Sequence, residues 1–306
     1  MANKIVRAIF DNNAWNDIVV RNPTSKLLLR LQRSVVQGSV LLFVTPGLIE
    51  ETLAFAKTNA DETRRRLGYL RAFGHGHVLL APGEIIALEA RGEPTDSKVF
   101  MTQEDESLLF ASVLDACDNK GTFISPVDGN TYHAATLVGE AKTAARDSAR
   151  SMEKKAEDGI LALWDRDSSG DSQGSNDLGL PPKATPQEVL QAWGKVLIQR
   201  APLMFESWVA EFLGNMGAPA AVIKAGLAAH PFASAYVAYW YAHASRHFKN
   251  GTLWAIGDSY DRQYCVLSVA GDVLVTSDVN LQRTCQLMPF RPFQVLSAQE
   301  FIEKYA

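Results

Sequence analysis

Short, nearly continuous apolar runs alternate with helical periodicity along this chain, and that alternation restricts it to few folds. The run around Ile5 to Phe10, then "SVLLFV", then "HVLLAP", are strand-length and mostly apolar. Helical segments separate them. "TSKLLLRLQRSVVQG" has Thr24 or Ser25 as N-cap, Leu27, Leu28, Leu31 and Val35 on one face, and Gly38 as terminator. In "TPGLIEETLAFAK", Thr45 caps and Pro46 takes the first helical position. "DETRRRLGYLRAFG" and "GEIIALEARG" are further helices, the latter closing near Gly92. This order predicts a parallel sheet with helices on both faces.

After a gap of about 160 residues the pattern resumes in "DRQYCVLSVAGDVLVTSD". The spacing predicts one α/β domain in two parts, residues 1–93 and 251–306, split by an insertion spanning 94–250. The insertion reads as mainly α-helical, in "EDESLLFASVLDACDN", the long segment from "GNTYHAATLVGE" to "GILALW", "TPQEVLQAWGKVLIQRAPLMFESWVAEFLGNMG" and "HPFASAYVAYWYAHASRHF". Between its halves "DRDSSGDSQGSNDLGLPPKATP" holds too little apolar surface to order itself, which predicts a flexible loop near 165–185. It opens like a calcium loop at Asp165, Asp167 and Asp171, but its twelfth position is Asn176 rather than Glu.

No stretch is apolar enough to span a bilayer, and the N-terminus meets an acid too early for a secretory signal, so a cytoplasmic, membrane-free protein is expected. Cys117, Cys265 and Cys285 are too scattered for a disulfide framework and read as buried small hydrophobes. The net charge of −4 argues against indiscriminate nucleic-acid affinity. Its distribution is uneven: residues 1–93 hold 12 basic and 9 acidic side chains, and residues 94–250 hold 14 and 19. The histidines of "HGH" and of "YAHASRH" lack the third ligand or the Glu that a zinc site needs. The aromatic run "FASAYVAYWYAH" is spaced for helix packing more than for base stacking.

Ligands of open parallel sheets bind beyond the carboxyl ends of the strands. Asp11 follows the first strand, Glu50 and Glu51 lie in the helix opened by Thr45, Asp258 and Asp261 begin a late helix, and Asp278 ends the last apolar run. One such acid alone would read as a helix cap. Acids from four separate segments at one sheet edge instead repel and need a compensating cation. Carboxylate oxygens suit Mg²⁺ or Mn²⁺, and such an ion could activate water against a phosphodiester.

In "IFDNN", "TPGLIEE" and "DRQYCVLSVAGDVLVTSD" the chain resembles the PIN domain family, over roughly half its length. The resemblance implies a flavodoxin-like sheet of about five parallel strands and a metal-dependent nuclease, most often a ribonuclease, as in bacterial toxins held by an inhibitory protein partner. It implies Asp11, Glu51, Asp261 and Asp278 as catalytic and metal-binding acids, with Glu50 and Asp258 as alternatives. It also implies a Thr276 hydroxyl directed at the acidic pocket and Asn13 holding Asp11. RNA, or single-stranded DNA, would then run along local basic patches, for which Arg21, Lys26, Arg30, Arg33, Arg64, Arg65, Arg66 and Arg71 are the candidates. A PIN-like domain that has lost catalysis and serves as a binding module is the alternative.

Overall fold

In the computed structural model, the residues described are 5–19, 26–57, 59–95, 98–117, 122–125, 131–133, 184–250 and 258–306, with isolated positions 129, 151, 155 and 158. The strands among them are β1 (Val6–Phe10), β2 (Val40–Phe43), β3 (Thr122–Ile124), β4 (Thr131–His133), β5 (Val273–Val275) and β6 (Gln294–Leu296). The helices are α1 (Asn12–Val19), α2 (Lys26–Val36), α3 (Pro46–Leu53), α4 (Ala60–Gly74), α5 (Pro82–Ala90), α6 (Gln103–Ala116), α7 (Pro186–Asn215), α8 (Pro231–Asn250), α9 (Asp258–Leu267), α10 (Val279–Leu287) and α11 (Ala298–Tyr305); Ala220–Ile223 adds one short turn.

The sheet is all-parallel, in the order β2-β1-β5-β6. Ile9 of β1 pairs with Phe43 on one side and Leu274 on the other, and Ala8, Ile9 and Phe10 are fully buried. A strand covered on both faces has no use for polar alternation, which explains the continuous apolar runs. The third run, "HVLLAP", is the exception. It makes a parallel bridge in which Val44 N–H donates to His77 O (3.1 Å) and Leu79 N–H to Val44 O (2.9 Å). Leu80 N–H then donates to Val99 O, the neighbouring antiparallel segment, and Pro82 starts α5. The expected fifth parallel strand is therefore cut to a bridge, because the next ladder donors would be Pro46, which has no N–H, and Ala81, whose N–H goes to Glu84 in the cap of α5.

Thr45 caps α3 with its hydroxyl accepting from Leu48 N–H (3.1 Å), and Pro46 is its first residue. Asn59 caps α4, and Gly38 and Gly92 take the positive φ that ends the helices before them. Thr24 and Ser25, the proposed caps of α2, lie outside the described residues.

Within 94–250 the helices α6, α7 and α8 lie where periodicity puts them. The start of the long "GNTYHAATLVGE" segment departs from the expected helix. Thr131–His133 pairs antiparallel with Thr122–Ile124, a hairpin in which Phe123 faces Tyr132. β-Branched and aromatic residues on both sides of Gly129 favour pairing over a helical turn. Most of 134–183, including nearly all of the predicted flexible loop near 165–185, lies outside the described residues. A capping box of Thr185 and Glu188 opens the 30-residue α7, which carries Pro202 inside it. α7 and α8 pack face to face, with Trp208 stacked on Tyr241 (5.4 Å between centroids) and Phe212 on Tyr236 (5.0 Å). Phe205, Val209, Leu213 and Phe232 from this pair belong to the same apolar cluster as the sheet core. No helix among the described residues is long and apolar enough to cross a membrane.

A carboxylate ties α8 to the sheet's own helices. Glu89 on α5, buried, accepts from Phe232 N–H (3.0 Å) and Ala233 N–H (2.8 Å), the first donors of α8. Burial pushes its carboxyl up to about 7, against the lowering effect of those two donors. Removing the acceptor in Glu89→Ala should cost about 1–3 kcal/mol in denaturant unfolding. A raised folded-state value means the fold holds a proton that the unfolded chain releases near 4.5, so this contribution is full below that pH and is lost as pH rises to about 7. Glu89→Gln should remove that part of the pH slope while costing less than Glu89→Ala.

Candidate active site

β1 lies between β2 and β5, so the chain leaves β1 to one side first and returns on the other side much later. The crevice beyond β1 and β5 is thus the place where strand order reverses, the usual ligand position of open parallel sheets. Asp11 stands there. Its N–H donates to Val275 O (3.0 Å) and its carbonyl accepts from Trp15 N–H (2.9 Å), joining strand to helix. Its carboxylate accepts from Ala14 N–H (2.7 Å) and from the Thr276 hydroxyl (2.5 Å). Thr276 is fully buried and also accepts from Asp278 N–H (3.0 Å). Asn13 is exposed and takes no part in holding Asp11, contrary to what the resemblance implies. It is one residue short of the position whose N–H the helix turns toward the carboxylate.

Only 3% of Asp11 is exposed, and burial pushes its carboxyl up to about 7. The Thr276 and Ala14 hydrogen bonds oppose this, while the charges of Asp278 and Asp17 add to it. Asp17, one helical face onward in α1, was not among the sequence candidates; the Ser277 hydroxyl donates to it (2.6 Å). Its signal was present only as an acid on the helix that follows Asp11.

Glu50 and Glu51 meet a pair of phenols. The Tyr260 hydroxyl donates to Glu50 (3.1 Å) and the Tyr264 hydroxyl to Glu51 (2.6 Å), so one turn of α9 addresses two consecutive carboxylates. Ser125, beyond β3, donates to the other oxygen of Glu50 (2.5 Å). Gly47 allows this approach: a Cβ there would stand 3.0 Å from Gln263 Oε1 and 3.1 Å from the Tyr260 ring. Burial first, then the charges of Glu51 and Asp11, hold the Tyr264 phenol well above its ordinary value, so it stays a donor. Glu50 is buried and Glu51 half-buried.

The remaining acids are Asp278, Asp261 and Asp258. Asp278 is the N-cap of α10, one oxygen accepting from Asn280 N–H (2.6 Å) and Leu281 N–H (3.2 Å) while its charge is felt at Asp11. Asp261 lies on α9 one turn before Cys265, whose thiol it helps raise after burial and Cys285. Asp258 begins α9, and its side chain lies outside the described residues. Among the described residues no three His, Cys, Asp or Glu side chains form a group that could hold a metal ion. The phenols of α9 stand against Glu50 and Glu51. What does suit a hard cation is the coupled Asp11 and Asp278, since Mg²⁺ takes one or two carboxylates and keeps several waters.

Four of the basic candidates make contacts within the protein. Arg65 is bound by both oxygens of Glu62 (2.9 and 2.7 Å), and Arg64 pairs with Asp61 (3.1 Å). Arg66 is buried, donating to Glu62 and to Asn16 Oδ1 (3.2 Å), where it joins α4 to α1 rather than facing a phosphate. Arg30 donates to Ile302 O (2.9 Å) and fastens α11. Arg33, Arg71 and Lys26 are exposed, and Arg21 lies outside the described residues. His75 pairs with Glu106 (3.2 Å) and His77 stacks on Phe43, so "HGH" is structural. His243 is buried against Tyr239, and the side chain of His247 lies outside the described residues.

No family model, curated protein or solved structure matches the chain.

Because Asp11 is ionised above about 7 in the fold but already near 3.8 when unfolded, its contribution is full below 3.8 and is lost as pH rises toward 7. Asp11→Asn keeps an acceptor for Ala14 N–H, and its NH₂ can donate to a Thr276 hydroxyl turned to accept. The variant should therefore be more stable than wild type at pH 8, by on the order of 1–3 kcal/mol, with the gap closing below about pH 4. Chemical denaturation at the two pH values measures it.

Proposed function

We propose that the crevice beyond β1 and β5 performs divalent-metal-dependent phosphodiester hydrolysis on nucleic acid, most simply as a ribonuclease of PIN-like, flavodoxin-like design. The observation that carries this reading is Asp11: a buried carboxyl at the strand-order reversal, raised to about 7 and facing the charges of Asp278 and Asp17. A fold gains nothing from such an arrangement, and acids kept at a cost to stability point to use. Mg²⁺ or Mn²⁺ would be held by Asp11 and Asp278 and would supply a Lewis acid at the phosphate and a more acidic water. Thr276 fixes the rotamer of Asp11, and the Ser277 hydroxyl fixes Asp17. Tyr260 and Tyr264 orient Glu50 and Glu51, which line the same edge. The toxin-type role and the inhibitory protein partner belong to this proposal through the family resemblance alone.

The second reading, a PIN-like binding module without catalysis, is favoured by one observation. Glu50 and Glu51 are satisfied by Ser125, Tyr260 and Tyr264, as carboxylates retired from metal binding would be. The two readings separate in one experiment. Mixed RNA and single-stranded DNA are incubated with Mn²⁺ or Mg²⁺ and wild type, Asp11→Asn or Asp278→Asn. Hydrolysis should occur with wild type and fall at least about tenfold to a hundredfold in both variants, while chelation abolishes it. Nucleic acid bound but never cut, with affinity unchanged in the variants, would establish the module instead. Mn²⁺ should also raise the melting temperature of wild type more than that of Asp11→Asn, a readout independent of turnover.

A further inference from the structure

A second cavity-forming region lies away from these acids. Between α7 and α8 is a groove of about 660 Å³, the size of a small-molecule site, and none of the acids of the crevice lines it. Its walls are the rings of Trp208, Phe212, Tyr236, Trp240, Tyr241 and Phe248. Two of these contacts are the ring stacks that join the helices, so the walls are held by the packing. Among the described residues the one charged group lining the groove is Glu211, exposed at the rim, with Asn215 one turn on.

This chemistry selects by sign. Aromatic faces carry negative potential and attract cations, and Glu211 adds a full negative charge. The protein already uses one of these rings in this way, since the Arg262 guanidinium lies over Tyr236 at 5.2 Å from its centroid. A second, independent feature concerns hydrogen bonding. Tyr241 is only 7% exposed, yet its hydroxyl has no hydrogen-bond partner among the described residues, and neither has the fully buried Ser245 hydroxyl one turn on. Burial raises the Tyr241 phenol, and the Ser245 hydroxyl lies near it without the geometry of a hydrogen bond. A buried hydroxyl left without a partner is destabilising, and a ligand donor would supply the missing bond.

We propose that the α7–α8 groove binds a planar aromatic cation bearing an N–H donor, its ring between the aromatic walls, its charge facing Glu211 and its N–H reaching the Tyr241 oxygen. The inference stands apart from the reading of the acidic crevice. It assigns to this groove a ligand opposite in charge to a nucleic-acid strand.

The test titrates nucleic-acid-free, full-length protein with 9-aminoacridinium and, separately, with 9-anthracenecarboxylate, a tricyclic probe of similar size and opposite charge, following quenching of tryptophan fluorescence. Saturable quenching by the cation, at least about tenfold tighter than by the anion, is expected. Glu211 is exposed, so Glu211→Gln should fold normally and weaken the cation at least about fivefold. Tyr241→Phe should weaken it about threefold or more. Equal binding of the two probes, no saturable binding of the cation, or unchanged affinity in Glu211→Gln would overturn the proposal. Unchanged affinity in Tyr241→Phe would overturn the assignment of the N–H contact.

Discussion

The pairing of β1 with β5 holds the molecule together. Ala8, Ile9 and Phe10 pair with Val273, Leu274 and Val275, residues some 265 positions further along the chain. Until the C-terminal part returns, β1 has a partner on one edge only, and its backbone groups on the other edge have none in the sheet. The same closure brings Thr276 to Asp11 and α9 to the carboxylates of α3. Fold and site therefore form in a single long-range event, with a large loop-closure cost before any reward, which is a topology that folds slowly.

Two of the buried carboxyls, Asp11 and Glu89, are raised to about 7 by burial. Their surroundings differ in kind. Glu89 accepts two backbone N–H groups at the start of α8 and feels no other acid's charge among the described residues, so its work is to join two helices. Asp11 is satisfied by one N–H and one hydroxyl and still lies within the field of two further acids. An isolated buried carboxylate that caps a helix is an ordinary structural device. One surrounded by like charge at a strand-order reversal is a costly arrangement, and the functional proposal rests on that difference.

Much of the fold was legible because the relevant signals are local. Thr45-Pro46 at the start of α3, Gly38 after α2 and the apolar runs of β1, β2 and β5 each specify their own backbone over a few residues. Where reading failed, a distant contact decided. "HVLLAP" had strand composition, but its outer neighbour runs antiparallel and Pro82 starts a helix, leaving a bridge. "TYH" lay in a helical frame until "TFI" offered it a pairing edge. In the site, Asp11 and Thr276 could be placed by following the strands. Tyr260, Tyr264 and Ser125 could not, because hydroxyls seeking a carboxylate leave no periodic trace in the sequence.

The sequence by itself determined that this chain builds a parallel sheet from two separated parts and sets acids at its carboxyl edge, since periodicity and strand ends are properties of short segments. Only the tertiary structure decided what those acids face. Asp278 caps a helix, Glu50 and Glu51 meet phenols, and Arg64, Arg65 and Arg66 pair with Asp61 and Glu62. A charge's effect depends on burial and on partners within a few ångströms, and those distances exist only once helices from opposite ends of the chain have packed.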